Sequence, residues 1–552
     1  MTNSVTRRSF LSASALLGAG AMVATMTGCA PQASSNSGDD ASKPEDATLP
    51  PVDESAIAEV QECDVCVLGL GVAGVAAMRA AAEGGLSVIG VEKCSKPSAR
   101  STMFAAFNTE RARAMGIADI DTADLVNELQ IQMSHRADYR VIKRWVDHCG
   151  EAFEWYANAH EGILWLGPGD EYPADENQLY VEVSSMGEGD YRYGRDHEKT
   201  FAGCMSFGPV LDHGPILQDN VDKALATGNA TVRFDCAGYR LDVTEGTVTG
   251  VVCRNLEDGT YTRIKVAKGV VIATGGYSHN EDMLERHTPW IVANQDKYLF
   301  SYAHVDKDGA FADTGDGQLM GVEAGGHLDV GPHAVMAHIM LDGGPTFLML
   351  NERGERFANE DLSMTNVSKI LVNQPGSVFY QICDADGPVR VPTLGAFSEG
   401  DWYSAQADTL EELFEQLGMD EESAASAERE IVRYNELCAA GADVDFGKAP
   451  EKLFAVEKPP FYAIRKDLLE HTSADDVFCL RLLVTMGGLV TDANARVLDA
   501  ESNPIDGLYA VGNAQGGRFV DDYPFTLSGA SHGAALTYGY LTGKYLAEER
   551  DV

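Results

Sequence analysis

Residues 64–93 read DVCVLGLGVAGVAAMRAAAEGGLSVIGVEK. A short apolar strand, Val65 to Leu68, enters Gly69-Leu70-Gly71-Val72-Ala73-Gly74. An alanine-rich helix follows, then a second strand, Ser87 to Val91, that ends at Glu92-Lys93. This is G-x-G-x-x-G in the strand–turn–helix–strand setting that gives the motif its meaning. Gly69 permits the tight turn, Gly71 lets a pyrophosphate approach bare backbone, and Gly74 brings helix onto strand. The helix start at Val72 and Ala73 offers free N–H groups and a positive dipole end to phosphates. Glu92 stands where a carboxylate accepts ribose hydroxyls. A glycine-rich turn in an ordinary βαβ unit would not need that acid, so the stretch predicts a bound ADP moiety.

The chain has 552 residues, enough for two or three domains. Acidic residues number 84 against 42 basic, a formal charge of −42. Such a surface repels nucleic acid, and solubility is its plainest purpose. Thr6-Arg7-Arg8-Ser9-Phe10-Leu11 is a twin-arginine pattern, followed by a small-residue apolar run from Ala13 to Met26. That run is too short to span a bilayer. Met26-Thr27-Gly28-Cys29 is similar to a bacterial lipobox, with Met where Leu is usual. The alternatives are lipidation at Cys29, which would hold the protein at the outer face of the cell membrane, and plain cleavage with release. Residues 30–60 are rich in Ser, Asp, Pro and Ala and read as a flexible tether.

The eleven cysteines show no disulfide framework, no C-x-x-C-H haem site and no iron–sulfur spacing. No metal site is expected, and electrons have to arrive from another protein. Cys63 and Cys66 sit on the first strand, where residues three apart point to opposite faces, and read as core packing.

Residues 121–160 carry helical periodicity, and 161–215 read as loop-heavy. Val232 to Arg254 suggests a hairpin turning at Glu245-Gly246. KGVVIATGG at 268–276 reads as a buried strand, and 311–326 as loop, helix and glycine stop. From about 330 to 483 Met, His and Pro become common, with a charged helix near 420–438. After Leu483 the style of the first domain returns, ending in a helix from about Gly533.

Four segments together carry a likeness: the glycine motif with Glu92-Lys93, ATGG at 273–276, GERFANE at 354–360, and TMGG with GLYAVGN at 485–513. They resemble the fumarate reductase/succinate dehydrogenase flavoprotein superfamily, most of all its exported bacterial alkene reductases and ketosteroid dehydrogenases. The resemblance covers about residues 61–552. It implies an α/β fold with a discontinuous Rossmann-like FAD-binding domain at 61–329 and 484–552, after a signal at 1–29. An α+β capping domain at 330–483 would be inserted in it. FAD would be held non-covalently, with a small-molecule substrate between cap and flavin ring and a membrane-bound or cytochrome electron donor.

By the same resemblance Gly69, Gly71 and Gly74 take the pyrophosphate, and Ala273, Thr274 and Gly275 approach the adenine end. Gly512 and Asn513 sit near the pyrophosphate and ribityl chain. Ser528, Gly529 and Ala530 approach the ring at the start of the last helix, whose dipole would favour the anionic reduced flavin. Ser528-Gly529-Ala530-Ser531 also matches the core of a covalent FMN-attachment motif. That reading is rejected, because the turn that contacts FAD has to lie there. Relatives have a Gly-Gly-Asn-Ser/Thr run against the flavin; here Ser98-Ala99-Arg100-Ser101-Thr102 stands there, which keeps Ser101 and Thr102 as flavin contacts. Met364 occupies the position of the arginine or tyrosine proton donor, and Leu483-Val484 precede Thr485 where fumarate reductases have a histidine. Fumarate is therefore not the expected substrate.

Reduction of an activated C=C bond needs a hydride, a proton and polarisation of the neighbouring carbonyl. Three residues are candidates. Tyr523, followed by Pro524, resembles the Tyr-Pro of ketosteroid dehydrogenases that polarises a carbonyl; otherwise it is a packed aromatic. Arg518 binds a carboxylate or supplies a proton through water; otherwise it pairs with Asp521 or Asp522. His338 fits the place of a substrate-binding histidine; otherwise it is a solvent or core histidine. His532 either faces the flavin or caps its turn. The expected activity is FAD-dependent reduction of an enoate or enone. The alternatives are the reverse, ketosteroid-type dehydrogenation and a flavin electron carrier without turnover of its own.

Overall fold

Val65 and Val67 point into one apolar cluster, and Cys66 and Leu68 into another. A strand buried on both sides belongs in the middle of a parallel sheet covered on both faces. The computed structural model shows that sheet. Its strands Pro504–Ala510, Tyr261–Ile272, Ile57–Leu68, Val88–Val91 and Ala230–Arg233 lie side by side in this order, all parallel. The antiparallel hairpin Cys236–Thr244/Thr247–Asn255 pairs with the Tyr261–Ile272 strand and turns at Glu245 and Gly246, both left-handed. The structure describes residues 50–185, 199–209, 213–300, 304–339, 341, 343–391, 402–470, 480–524 and 526–548. All belong to one unit, Ala47–Val552. The twin-arginine segment, Cys29 and most of the tether lie outside the described residues. The first strand begins at Ile57, inside the stretch read as tether.

The alanine-rich helix Val72–Glu83 is apolar all round, and all but its last residue are buried. A helix without a polar face needs cover on both sides. The sheet supplies one side and the final helix, Ala530–Glu548, the other. The one cation inside this contact, Arg79, is held by Asn220 at 2.7 Å and Glu83 at 2.7 Å and lies 3.9 Å from the centre of the Trp155 ring.

Most described residues of 161–215 lie outside regular elements, in line with the loop-heavy reading, but Leu164–Leu166, Tyr180–Ser185 and Cys204–Gly208 form a four-stranded sheet with Met103–Ala105. These strands are three to six residues long, and the partner of Cys204 is Ala105, so no local alternation announces them. Cys63 and Cys66 do not face opposite sides. The pairing is irregular here, the partner strand carrying one extra residue between Val266 and Gly269, and both thiols enter the same core without a disulfide.

A second, antiparallel sheet runs Leu348–Asn351, Val378–Cys383, Phe461–Asp467, Ala405–Ala407, with helix Glu421–Ala440 packed on it. Its motif GERFANE is tied down by a buried ion cluster. Arg356 donates to Glu360 and Asp443 at 2.8 Å each, and the Lys448 ammonium lies 3.3 Å from Glu360. Two cations and two anions balance, as burial of charge requires. Helix Met364–Leu371 follows, its start capped by the Ser363 hydroxyl, which accepts the Asn366 N–H at 3.4 Å; the Met364 side chain lies outside the described residues. Strand Arg481–Thr485 leads back from this region and pairs with Val335–His338 and Leu299–Phe300. The Tyr277 N–H donates to Thr485 Oγ1 at 2.7 Å, which docks the end of the returning strand beside the ATGG turn.

Candidate active site

The parallel strands end at one edge, and a trench opens there. Gly69 turns the chain with φ 92°, and a Cβ on it would lie 2.5 Å from the Ala273 carbonyl oxygen. Gly71 caps helix Val72–Glu83 with no side-chain partner, so the first N–H groups of that helix stay open. Gly74 sits behind, where a Cβ would meet the Gly69 oxygen at 1.8 Å. Glu92 accepts the Leu70 N–H at 2.6 Å on one oxygen and the Cys94 N–H at 2.8 Å on the other. A carboxylate has about four acceptor sites, so two remain for a ligand. Lys93 donates to Thr314 and Asp316, each at 3.0 Å.

Glu92, Lys93, Ala273, Thr274 and Gly275 line a first cavity of about 700 Å³ empty volume. A second, of about 650 Å³, is lined by Val72, Ala73, Arg100, Gly512, Asn513 and His532, among others. Gly71, Ser98, Ala273, Gly275, His304 and Asp313 line both, so the two form one trench. The trench starts at the Glu92 carboxylate, passes the open end of a helix and finishes at the first turn of the final helix. Thr274 Oγ1, buried on its wall, has no hydrogen-bond partner among the described residues. Acid, helix terminus and helix terminus in that order fit FAD along its whole length.

The family model described as FAD binding domain matches residues 64–521. The chain belongs to this family. It is a flavoprotein oxidoreductase that binds FAD. It is 26% identical over 532 residues to the vinyl phenol reductase of Lactiplantibacillus plantarum, covering 89% of this chain and 98% of that one. It is 26% identical to the fumarate reductase (cytochrome) of Shewanella frigidimarina over 88% of this chain and 77% of that protein. Against the NADH:acrylate oxidoreductase of Vibrio harveyi identity is 30%, over 61% of this chain but only 32% of that longer protein. The 3-ketosteroid-Δ4-(5α)-dehydrogenase of Rhodococcus jostii shares the fold, with TM-score 0.70, 22% identity and coverage of 91% and 100% of the two chains.

Within this FAD oxidoreductase, some expected contacts lie beside the trench, not on it. Ser101, Thr102, Ser528, Gly529 and Ala530 line neither cavity. The Ser101 carbonyl faces His213 Nδ1 at 2.6 Å, and the Thr102 carbonyl accepts the Phe207 N–H at 3.1 Å. The Gly529 carbonyl accepts the Ala105 N–H at 2.9 Å. Their neighbours Ser98, Ala99 and Arg100, and Ser531 and His532, take the wall. A motif locates a turn, but hydrogen bonds to distant strands decide which residues of the turn face inward. Asp313 and His304 were not singled out from sequence; the acid directly before Thr314-Gly315-Asp316-Gly317 was the available signal.

None of the three catalytic candidates lines the trench, and they differ in how near they come. Tyr523 is nearest. Its phenol oxygen accepts the N–H of Ser531, a wall residue, at 3.2 Å. Burial pushes this phenol up to about 12, so it keeps its proton at neutral pH. Arg518 is 1% exposed and donates to the Gly512 carbonyl. Burial lowers it to about 10, which leaves it charged. It does not bridge to Asp521 or Asp522, which pair with Arg136 and Lys369. His338 lies on strand Val335–His338 opposite Arg481, and burial followed by that charge lowers it to about 4. His333 lines neither cavity; its ring nitrogens lie 2.7 Å from the Tyr277 hydroxyl and 2.7 Å from the Asp329 carbonyl.

His532 lines the trench, with Nδ1 3.1 Å from the Met103 carbonyl. A carbonyl only accepts, so Nδ1 carries the hydrogen and Nε2 is left as an acceptor. Burial lowers His532 to about 3, and His213 and His338 to about 4. In the unfolded chain these rings protonate near 6.5. Their contribution is therefore intact above pH 6.5 and is lost as pH falls toward the folded values. Below about pH 6.5 stability should fall by up to about 1.4 kcal/mol per histidine per pH unit, seen as a melting temperature lower at pH 5 than at pH 7. A melting temperature unchanged across that range by differential scanning fluorimetry would contradict buried neutral histidines.

Proposed function

We propose that this protein is an FAD-dependent reductase of an activated C=C bond in a small organic acceptor, an enoate or enone. The observation that carries this reading is the end of the trench, where Ser531 and His532 on the final helix meet Val484 and Thr485 on the strand returning from the second sheet. A planar acceptor entering between these elements would lie against the flavin end of the trench. The names of the relatives, vinyl phenol reductase and NADH:acrylate oxidoreductase, support an alkene as acceptor.

FAD, when bound and reduced, would supply hydride to one alkene carbon. The chain has to supply the proton to the other carbon and withdraw charge from the conjugated carbonyl. Tyr523 holds a proton at its phenol oxygen one hydrogen bond behind Ser531, and we assign it the proton-donating role. Arg518 holds the Gly512 turn in place from below. The charged and imidazole groups on the wall, Arg100, His304, Asp313 and His532, argue against a mere electron carrier. With no haem-attachment motif in the sequence, electrons would come from a cytochrome or a membrane quinol system. The twin-arginine pattern and Cys29 support an exported protein, lipid-anchored at the outer face of the cell membrane. Among the described residues no helix is long and apolar enough to cross a membrane.

The Tyr523-Pro524 pair favours a second reading, ketosteroid-type dehydrogenation. An anaerobic assay separates the two. Reduced viologen should be oxidised on addition of an enoate or enone. No oxidation with any alkene, together with dye reduction by a saturated ketosteroid, would overturn the reductase reading.

A further inference from the structure

Arg100 lines the second cavity, toward the final-helix end of the trench. One guanidinium nitrogen pairs with the Asp313 carboxylate and the other donates to the Leu483 carbonyl. Asp313 is 7% exposed and borders both cavities. Its second oxygen lies 3.3 Å from His304 Nδ1. The Arg100 Nε is buried without a hydrogen-bond partner among the described residues, as is His304 Nε2. His279 lies within electrostatic reach of both members of the pair, and His532 feels the Arg100 charge across the trench. A cation and an anion are thus fixed together on the trench wall, Arg100 on the second cavity and Asp313 on both.

We propose that Arg100 and Asp313 form a charge pair that sets the reduction potential of the bound flavin. Uptake of two electrons and one proton leaves one additional negative charge on the ring. Out of water that charge is sensitive to every fixed neighbour. Arg100 favours it and Asp313 opposes it. While paired they largely cancel, so the ring sits at a balance point that either partner alone would upset. The pair also ties the loop after strand Val88–Val91 to the strand returning from the second sheet, so this balance depends on both being in place. The inference rests on FAD in the trench and is independent of which alkene is reduced.

The test is the flavin midpoint potential of the holoenzyme, measured by equilibration with redox dyes. Arg100→Gln should lower it and Asp313→Asn should raise it. Each should change the reduced-to-oxidised ratio at least tenfold, about 30 mV for a two-electron couple. Arg100→Lys should stay near wild type. Loss of packing alone would move both variants the same way, so opposite signs identify charge. Shifts of the same sign, or ratios within threefold of wild type in both, overturn the proposal. If Arg100→Gln does not retain flavin, Asp313→Asn decides alone: a rise supports the pair, and its absence overturns it.

Discussion

Gly74→Ala is expected to yield a colourless protein. The added Cβ would lie 1.8 Å from the Gly69 carbonyl oxygen and 3.0 Å from its carbon. Neither is the loose end of a side chain. Backbone has to move, and the only directions open to it separate helix Val72–Glu83 from the turn Gly69-Leu70-Gly71. That separation swings the open N–H groups of the helix away from the pyrophosphate. It also disturbs Leu70, whose N–H is held by Glu92 at 2.6 Å. One methyl group thus removes both anchors of the ADP half. Overpacking of this kind costs roughly 1–3 kcal/mol of stability or more. The loss in cofactor affinity should be larger, a hundredfold or more, because geometry and not contact area is lost. FAD titration followed by flavin fluorescence measures it. A variant that binds FAD as tightly as wild type would show that the turn is not the pyrophosphate site.

Tyr523→Phe is expected to leave a yellow protein that barely turns over. Phenylalanine keeps the ring against Phe519, 5.7 Å between centroids, so packing and FAD binding should persist. What is lost is the phenol hydrogen beside Ser531. Positioned general acids contribute typically 100- to 10,000-fold, and kcat should fall by about that factor. KM should change little, and the flavin should still be bleached by dithionite at the wild-type rate. That split separates a missing proton from a damaged fold. Turnover within threefold of wild type would take Tyr523 out of the chemistry.

The cofactor half of this site was legible because its residues are neighbours in sequence. Gly69 to Glu92 spans one βαβ unit, and each constraint on it, turn, close approach and terminal acid, acts locally. The final helix and the hairpin at Glu245-Gly246 were readable for the same reason. The charged half was not legible. Arg100 and Asp313 are 213 residues apart, and only the sheet order brings them to one wall. Met103–Ala105 likewise pairs with Cys204–Gly208, far along the chain. The displacement from Ser101 and Thr102 to Ser98–Arg100, and from Ser528–Ala530 to Ser531 and His532, has one cause. Met103–Ala105 is held between Cys204–Gly208 and the Gly529 turn, and that clamp sets which side chains face the trench.

The most direct test of the account follows the flavin itself. Purified holoenzyme is bleached anaerobically with one equivalent of dithionite, and candidate acceptors are mixed in by stopped flow. The account predicts that the yellow absorption returns rapidly with an activated enoate or enone and not with its saturated analogue, with a stoichiometric reduced alkene as product. Flavin that stays bleached in the presence of every alkene, while oxidised enzyme is bleached by a saturated ketone, would contradict it.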